Sequence, residues 1–451
     1  MLYDIIIIGA GPGGYETALH AAKQGLQVAI VEKENLGGTC LNVGCIPTKC
    51  LCRNAEVVED IANAARYGIN ISASTFDIAQ AVARKNEVVS KLVGGIETLM
   101  KTPGITLLHG QASLKGRGED GSYAVEVAGD EPTTLMSRHI IIATGSVTKF
   151  LPIEGAHDEG VVTSTEMLDL TAVPRRLCVI GGGVIGLEFA SIFKSFGSEV
   201  TVVEFCKEVL PFFDRDTAKR LRTSLKKRGI DFKTGAAVTA IHNVEGGKQV
   251  EYEEKGKTAF TEADLVLMAV GRAANLDSIN VDEAGIAYTR RGITVDENMQ
   301  TNLPGIYAIG DVNGLMQLAH AASAQGRVAL AHIQGQPAPT DLNICPAAVF
   351  TMPELAMVGQ TEEQLKEAGV EYQTHKAFYR ANGKALAMDA EEGLVKVLTD
   401  GNGRLLGAHI LGAHAADLIH ECALLMSLGG TFAQLQNTIH AHPTLSEVLI
   451  S

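Results

Sequence analysis

The segment Tyr3-Asp4-Ile5-Ile6-Ile7-Ile8-Gly9-Ala10-Gly11-Pro12-Gly13-Gly14 decides how the rest of this chain is read. Its apolar, β-branched run is the pattern of a buried parallel strand. The run meets G-x-G-x-x-G at Gly9, Gly11 and Gly14. There the first glycine makes the turn, the second lets backbone approach a pyrophosphate, and the third lets helix and strand pack closely. The helix from Pro12 to about Gln24 points its N-terminus at the phosphates. A second strand, Gln27 to Val31, ends in Glu32, a carboxylate able to accept from a ribose hydroxyl. Strand, glycines, helix, strand and acid in that order predict a dinucleotide-binding fold.

The same unit recurs downstream. Arg176 to Ile180 reads as a strand, Gly181, Gly183 and Gly186 repeat the motif, and a helix follows through Glu188 to Phe196. The next strand, Glu199 to Val203, ends in Glu204, at the interval that separates Gly9 from Glu32. A carboxylate there favours a ribose diol and repels a 2′-phosphate, so NAD is expected over NADP. Ile140-Ile141-Ile142-Ala143-Thr144-Gly145 closes the first unit, and Leu265 to Gly271 closes the second.

The remaining segments read more coarsely. Residues 50–67 and 76–100 predict helices, and residues 113–139 a small β-meander. Gly305 to Asp311 reads as a strand ending in Gly-Asp, followed by a helix from about Met316 or Leu318 through Ile333. After Pro337 and Pro339 the texture changes to alternating strands and two helices, an α+β domain without a nucleotide fingerprint.

The chain has 451 residues and a net charge of −14. That length is too great for one core. An acidic chain without a basic cluster argues against nucleic acid as partner, and no apolar run is long enough to span a bilayer. The first strand starts at Leu2, so no signal or transit peptide and a cytoplasmic location are expected.

Gly37 to Lys49 reads GGTCLNVGCIPTK. Cys40 and Cys45 are close in sequence, and Pro47 suits the first turn of a helix. Cys45 therefore falls near a helix N-terminus, which favours a thiolate, with Lys49 one turn on. The segment holds either two neighbouring buried thiols or a redox-active dithiol beside a bound flavin. Cys50 and Cys52 form C-x-C, but side chains two apart on a helix do not face each other, so both read as structural. Near the end stands His440-Ala441-His442-Pro443-Thr444-Leu445-Ser446-Glu447. Histidine moves protons near neutral pH, and Glu447 can orient the His442 ring. His409, His414 and His420 show no ligand spacing with this pair, so no metal is expected.

GGTCLNVGCIPTK, the two glycine fingerprints, IGD, LAHAA and HAHPTLSE occur in order over nearly the whole chain. In this the sequence resembles the class I pyridine nucleotide-disulfide oxidoreductases, and within them the dihydrolipoamide dehydrogenase branch. Glutathione reductases carry a second Glu where Val448 stands, and mercuric reductases a C-terminal cysteine pair; this chain ends in Leu449-Ile450-Ser451. It departs from the branch at Ala321-Ala322-Ser323-Ala324-Gln325-Gly326, where Lys and a run of Glu are usual. It also stops four residues past Glu447, where relatives continue into a tail near the dimer interface.

The resemblance implies an α/β fold with two Rossmann-like FAD- and NAD(P)-binding domains and a C-terminal α+β dimerisation domain. The expected bounds are 1–148 for FAD, 149–272 for NAD, 273–340 returning to the FAD domain, and 341–451 for dimerisation. It implies oxidation of protein-bound dihydrolipoyl groups with reduction of NAD⁺, in 2-oxoacid dehydrogenase or glycine cleavage complexes. The alternatives are another NAD(P)H-dependent disulfide reductase or a non-catalytic flavoprotein scaffold or redox sensor. Implied partners are a lipoyl-bearing acyltransferase or glycine cleavage carrier protein, and a second copy of the chain. Implied catalytic residues are Cys40 as interchange thiol, Cys45 facing the flavin, and His442 with Glu447 from the opposite subunit. FAD contacts carry over to Gly9, Gly11, Gly13, Gly14, Glu32, Lys33, Gly38, Thr39, Lys49, Ala112, Thr144, Gly145, Ser146, Asp311, Leu318, Ala319 and His320. NAD contacts carry over to Gly181, Gly183, Val184, Ile185, Gly186, Glu188, Glu204, Val238 and Gly271. A Lys49–Glu188 pair is also expected.

Overall fold

The computed structural model describes residues 2–129, 132–277 and 279–450. The chain divides into two units. The first comprises the chain up to Pro47, Ala83–Lys149 and Arg272–Leu342; the second comprises Thr48–Val82, Phe150–Gly271 and the chain from Asn343 on.

The first unit is built on a seven-stranded sheet. Strand Leu2–Ile8 lies between Val28–Glu32 and Thr133–Ile142, parallel to both, with Ile8 opposite Val31 and Ile142. Ile5, Ile6 and Ile7 are wholly buried, each burial contributing about 1.5–3 kcal/mol. An aspartate at Ile6 would therefore break this core. Helix Pro12–Lys23 covers one face and packs against helix Ala319–Ile333. Ile306–Ala308 adds a last parallel strand beside Ile140–Ile142.

Two expectations are corrected here. The β-meander and the strand at Ile140–Ile142 are not separate, because Thr133–Ile142 is one ten-residue strand. Its first part pairs antiparallel with Tyr123–Ala128, and its last part pairs parallel with Ile306–Ala308. The strand expected over Gly305–Asp311 stops at Ala308. Gly310 takes φ +74, the Gln325 side chain accepts its N–H at 2.7 Å, and one turn of 3₁₀ helix follows at Gly310–Asn313.

The second unit contains a parallel five-stranded sheet in the order Asp231–Thr234, Glu199–Glu204, Arg176–Ile180, Leu265–Met268, Val161–Val162. An antiparallel meander, Ala236–Val244, Gly247–Glu254 and Lys257–Ala263, accompanies it. Residues from Ala347 on form an antiparallel five-stranded sheet, with helix Ala415–Ser427 packed on strands Glu354–Gly359 and Leu405–Gly412. Ala356, Ile410, Ile419 and Val448 lie in its core. Among the described residues no helix is long and apolar enough to cross a membrane.

Candidate active site

The two phosphate loops are built alike. Gly9 takes φ +104 and Gly181 φ +111. A Cβ on Gly14 would lie 1.9 Å from the Gly9 oxygen, and one on Gly186 would lie 2.0 Å from the Gly181 oxygen. Each helix starts from a glycine N-cap, Gly11 or Gly183, without a side-chain cap. Gly183 has an ordinary φ of −78, and a Cβ there would meet no protein atom within 4 Å. Nothing in the protein requires glycine at that point, whereas a pyrophosphate passing close to bare helix N–H groups does. The loops therefore fit dinucleotides.

The acids are held alike as well. Glu32 accepts from the Ala10 N–H at 2.7 Å and the Glu34 N–H at 2.8 Å. Glu204 accepts from the Gly182 N–H, and from the Cys206 N–H at 2.6 Å. Both carboxylates are buried and aimed by backbone rather than by a charged partner. Around the second loop, Val184 and Ile185 open helix Val184–Ser195. Val238 lies on strand Ala236–Val244 and Gly271 takes φ +102.

Cys40 rides on a one-turn helix, Gly38–Asn42, with Thr39 beside it, and Cys45 starts the helix Cys45–Ala62. Pro47 lies inside that first turn, as its missing N–H allows. Cys40 is half-buried and Cys45 exposed. The turn before them is tied to the phosphate loop, since the Gly37 N–H donates to the Ala10 oxygen at 2.8 Å. Lys33 follows Glu32 at the surface and pairs with Glu34 at 3.3 Å. Ala112 is buried on strand Gln111–Arg117. Leu318 caps helix Ala319–Ile333 in extended conformation, with Ala319 and His320 in its first turn.

Asp311 sits in a cluster that sequence reading recognised only in part. The Ser146 hydroxyl donates to Asp311 Oδ2 at 2.5 Å. Arg272 donates through Nε to that hydroxyl and through Nη2 to the Ser146 carbonyl, both at 2.7 Å. Burial pushes the Asp311 carboxyl up, and the Ser146 bond and Arg272 charge oppose it. Burial pushes Arg272 down, against the pull of Asp311 and Cys45. Thr144 and Gly145 complete the corner, with the Thr144 hydroxyl donating to the Asn275 oxygen at 3.0 Å and Gly145 at φ +71. Arg272 was missed as a site residue. Its position just after Gly271, at the chain's return to the first unit, was the available signal.

In the second unit Lys49 Nζ lies 3.0 and 2.9 Å from the two Glu188 oxygens. Glu188 is buried and also accepts from the Phe350 N–H at 3.0 Å. The ammonium sits 4.4 Å from the Phe350 ring centroid. Cys52 is buried, and burial pushes its thiol far up. A group so disposed is an inert structural thiol. Cys50 is buried too. Among the described residues no group of three or more His, Cys, Asp or Glu is placed to hold a metal ion.

The C-terminal loop brings His442 and Glu447 together. Nδ1 lies 2.9 Å from Glu447 Oε1, and Glu447 Oε2 accepts from the Thr444 N–H at 2.8 Å. That N–H and the His442 bond hold the Glu447 carboxyl below its usual range. The His442 side chain is 80% exposed, with its Nδ1 turned to Glu447. The His442–Pro443 peptide is cis.

Comparison with known proteins agrees with this geometry. The family profile described as pyridine nucleotide-disulphide oxidoreductase matches residues 3–326, and its dimerisation domain matches residues 345–450. The mitochondrial dihydrolipoyl dehydrogenase of Pisum sativum is 39% identical over 452 residues, 99% of this chain and 90% of the pea protein. The dihydrolipoyl dehydrogenase of Geobacillus stearothermophilus is 40% identical, covering 99% of this chain and 94% of that one. Among solved structures, the HOCl-induced flavoprotein disulfide reductase RclA from Escherichia coli superimposes with a TM-score of 0.87 at 33% identity, covering 99% and 98% of the two chains. With two fitting dinucleotide loops, a paired-cysteine segment and matches across both its parts, the chain belongs to the pyridine nucleotide-disulphide oxidoreductase family, whose cofactors are FAD and NAD(P).

Proposed function

We propose that this protein oxidises protein-bound dihydrolipoyl groups to lipoyl with NAD⁺ as electron acceptor. The observation that carries the reading is the His442–Glu447 pair at 2.9 Å, in a chain that also holds a Cys40/Cys45 couple. The first unit takes FAD, through Gly9, Gly11, Gly13, Gly14, Glu32, Ser146 and Asp311. The Phe150–Gly271 part of the second takes NAD, through Gly183 and Glu204.

His442 Nε2 takes the proton from one dihydrolipoyl thiol, and Glu447 steadies the imidazolium that forms. The substrate thiolate attacks Cys40 Sγ in the Cys40–Cys45 disulfide. The S–S bond breaks, a mixed disulfide forms on Cys40, and Cys45 leaves as thiolate. The second substrate thiol then attacks the substrate sulfur of the mixed disulfide and passes its proton to the departing Cys40 sulfur, which releases cyclic lipoyl and the Cys40 thiol. Bound FAD supplies the two-electron relay from the dithiol to NAD⁺. Lys49, fixed by Glu188, contributes positive charge on the helix that Cys45 begins.

The protein acts as a homodimer in which His442 serves the dithiol of the other copy, a reading supported by the family's dimerisation domain at residues 345–450. It works with a lipoyl-bearing acyltransferase or a glycine cleavage carrier protein. We place it in the cytoplasm, in keeping with the six cysteines outside the pair, which are thiols buried or half-buried in the fold.

The test is a substrate panel: dihydrolipoamide with NAD⁺ or NADP⁺, and glutathione disulfide with NADH or NADPH. Rapid turnover of dihydrolipoamide with NAD⁺ alone is expected. His442→Gln should keep its flavin and lose roughly 100-fold or more of that turnover. Full activity in that variant, or preference for glutathione disulfide, would overturn the reading.

A further inference from the structure

His442 stands midway between two anchors. Two residues downstream, Thr444 is tied through its N–H to Glu447 at 2.8 Å and through its oxygen to the Asn382 side chain at 3.0 Å. Two residues upstream, His440 is tied through its side chain. Its Nε2 lies 2.9 Å from Glu421 Oε2 on helix Ala415–Ser427, and its Nδ1 lies 3.0 Å from the Thr438 oxygen. The setting makes this conspicuous. Helix Phe432–Asn437 ends just before, Ile439 is 97% exposed, and Ala441, His442 and Pro443 are exposed. The His440 side chain, by contrast, is only 5% exposed.

Each ring nitrogen meets its own oxygen, so the ring is held at two points rather than one. The clamp joins the ring to a carboxylate on one side and to a backbone carbonyl on the other, and two contacts fix its plane where one would leave it free to swing. The carboxylate in contact with this ring is Glu421, on helix Ala415–Ser427. Glu447 in turn feels the charge of His440. We propose that His440 is a positioning residue for the base: gripped by Glu421 and the Thr438 carbonyl, it fixes the upstream arm of the loop that presents His442. A base held at one end only would sweep a range of orientations, and proton transfer is sensitive to displacements of an ångström. This inference rests on the assignment of His442 as base.

The holoenzyme variants His440→Asn, Glu421→Gln, their combination and His442→Gln test it. For His440→Asn, kcat with dihydrolipoamide and NAD⁺ should fall about tenfold. Its KM for dihydrolipoamide, flavin content, melting temperature and rate of NADH-dependent ferricyanide reduction should stay near wild type. Glu421→Gln preserves side-chain shape, and its kcat should fall in the same direction by less. The double variant should match His440→Asn rather than multiply the two losses, because both remove one clamp. Wild-type kcat in either single variant overturns the proposal. So does a loss of kcat matched by an equal loss of ferricyanide reduction, which would mark a merely structural role. If His440→Asn fails to fold, Glu421→Gln decides alone. Normal turnover in His442→Gln would defeat the base assignment itself. Lost turnover there beside normal turnover in His440→Asn would defeat only the positioning.

Discussion

The two nucleotide folds share a cradle and differ in what surrounds it. In both, a positive-φ glycine makes the turn and a buried carboxylate is aimed by two backbone N–H groups. The first loop, however, is hemmed in by its own unit. A Cβ on Gly13 would come within 3.1 Å of the Ala322 side chain on helix Ala319–Ile333, and one on Gly38 within 2.9 Å of Gly11 Cα. At the position matching Gly13 the second fold carries Ile185, half-buried at the start of its helix. Both places pair bare helix N–H groups with a buried carboxylate. The second loop is packed by other neighbours, a Cβ on Gly182 coming within 3.0 Å of Val209, so the two cradles differ in which elements close around them.

The sharpest way to break this comparison is to place a side chain where each cradle has none. Gly186→Val should keep its flavin absorbance and still be bleached by dihydrolipoamide, while NAD⁺ reduction falls roughly 100-fold or more. Gly14→Val should purify without flavin. Loss of flavin from Gly186→Val, seen in its visible spectrum, would show that the two cradles are not independent. A smaller effect is expected at the acids. Glu204→Ala leaves the Gly182 and Cys206 N–H groups without their acceptor and should raise the KM for NAD⁺ about tenfold. Glu32→Ala should instead raise the dissociation constant for FAD, measured by reconstitution of the apoprotein, and leave the KM for NAD⁺ alone.

The least effect should come from pH, and it should fall on the second unit. There Lys396 is wholly buried and lies 2.7 Å from Asp214, opposite the buried His409 on the neighbouring strand. Burial pushes His409 from its ordinary 6.5 down to about 4. Between those values the unfolded chain binds a proton that the fold excludes, so stability falls as pH drops through the window and levels off below about 4. The loss should be of order 1–3 kcal/mol. Denaturant unfolding at a series of pH values would read it, and His409→Gln should flatten the slope.

Local features were legible in the sequence because their causes are local. A glycine fingerprint, the acid one strand later, a proline in a first helical turn and a His five residues from its Glu announce themselves within a few dozen residues. The Lys49–Glu188 pair was within reach because both ends fall in recognisable segments. Features with distant partners were not legible. Arg272 reads as an ordinary loop arginine until Ser146 and Asp311 fold around it. Gln325 looks like a departure from its relatives, yet its side-chain oxygen accepts from the Gly310 backbone N–H and from the Asn313 side-chain amide. Strand Thr133–Ile142 was split in two because its halves pair with different neighbours in opposite senses, a change of partner that hydropathy does not record.

One arrangement bears on how the chain matures. Strands Ser146–Thr148 and Arg272–Ala274 pair with each other, Ser146 opposite Ala274, so the excursion between them leaves and returns at one place. Its parallel sheet draws on strands from Val161 to Met268 alone and can close as soon as that stretch has been synthesised. The first sheet must wait for Ile306–Ala308 to reach Ile140–Ile142, a closure across far more chain and correspondingly slower. On a ribosome, the later-encoded nucleotide fold is the first able to finish. The N-terminal half of the other would then stay open, with Ile140–Ile142 unpaired on one side, until the last strand arrives.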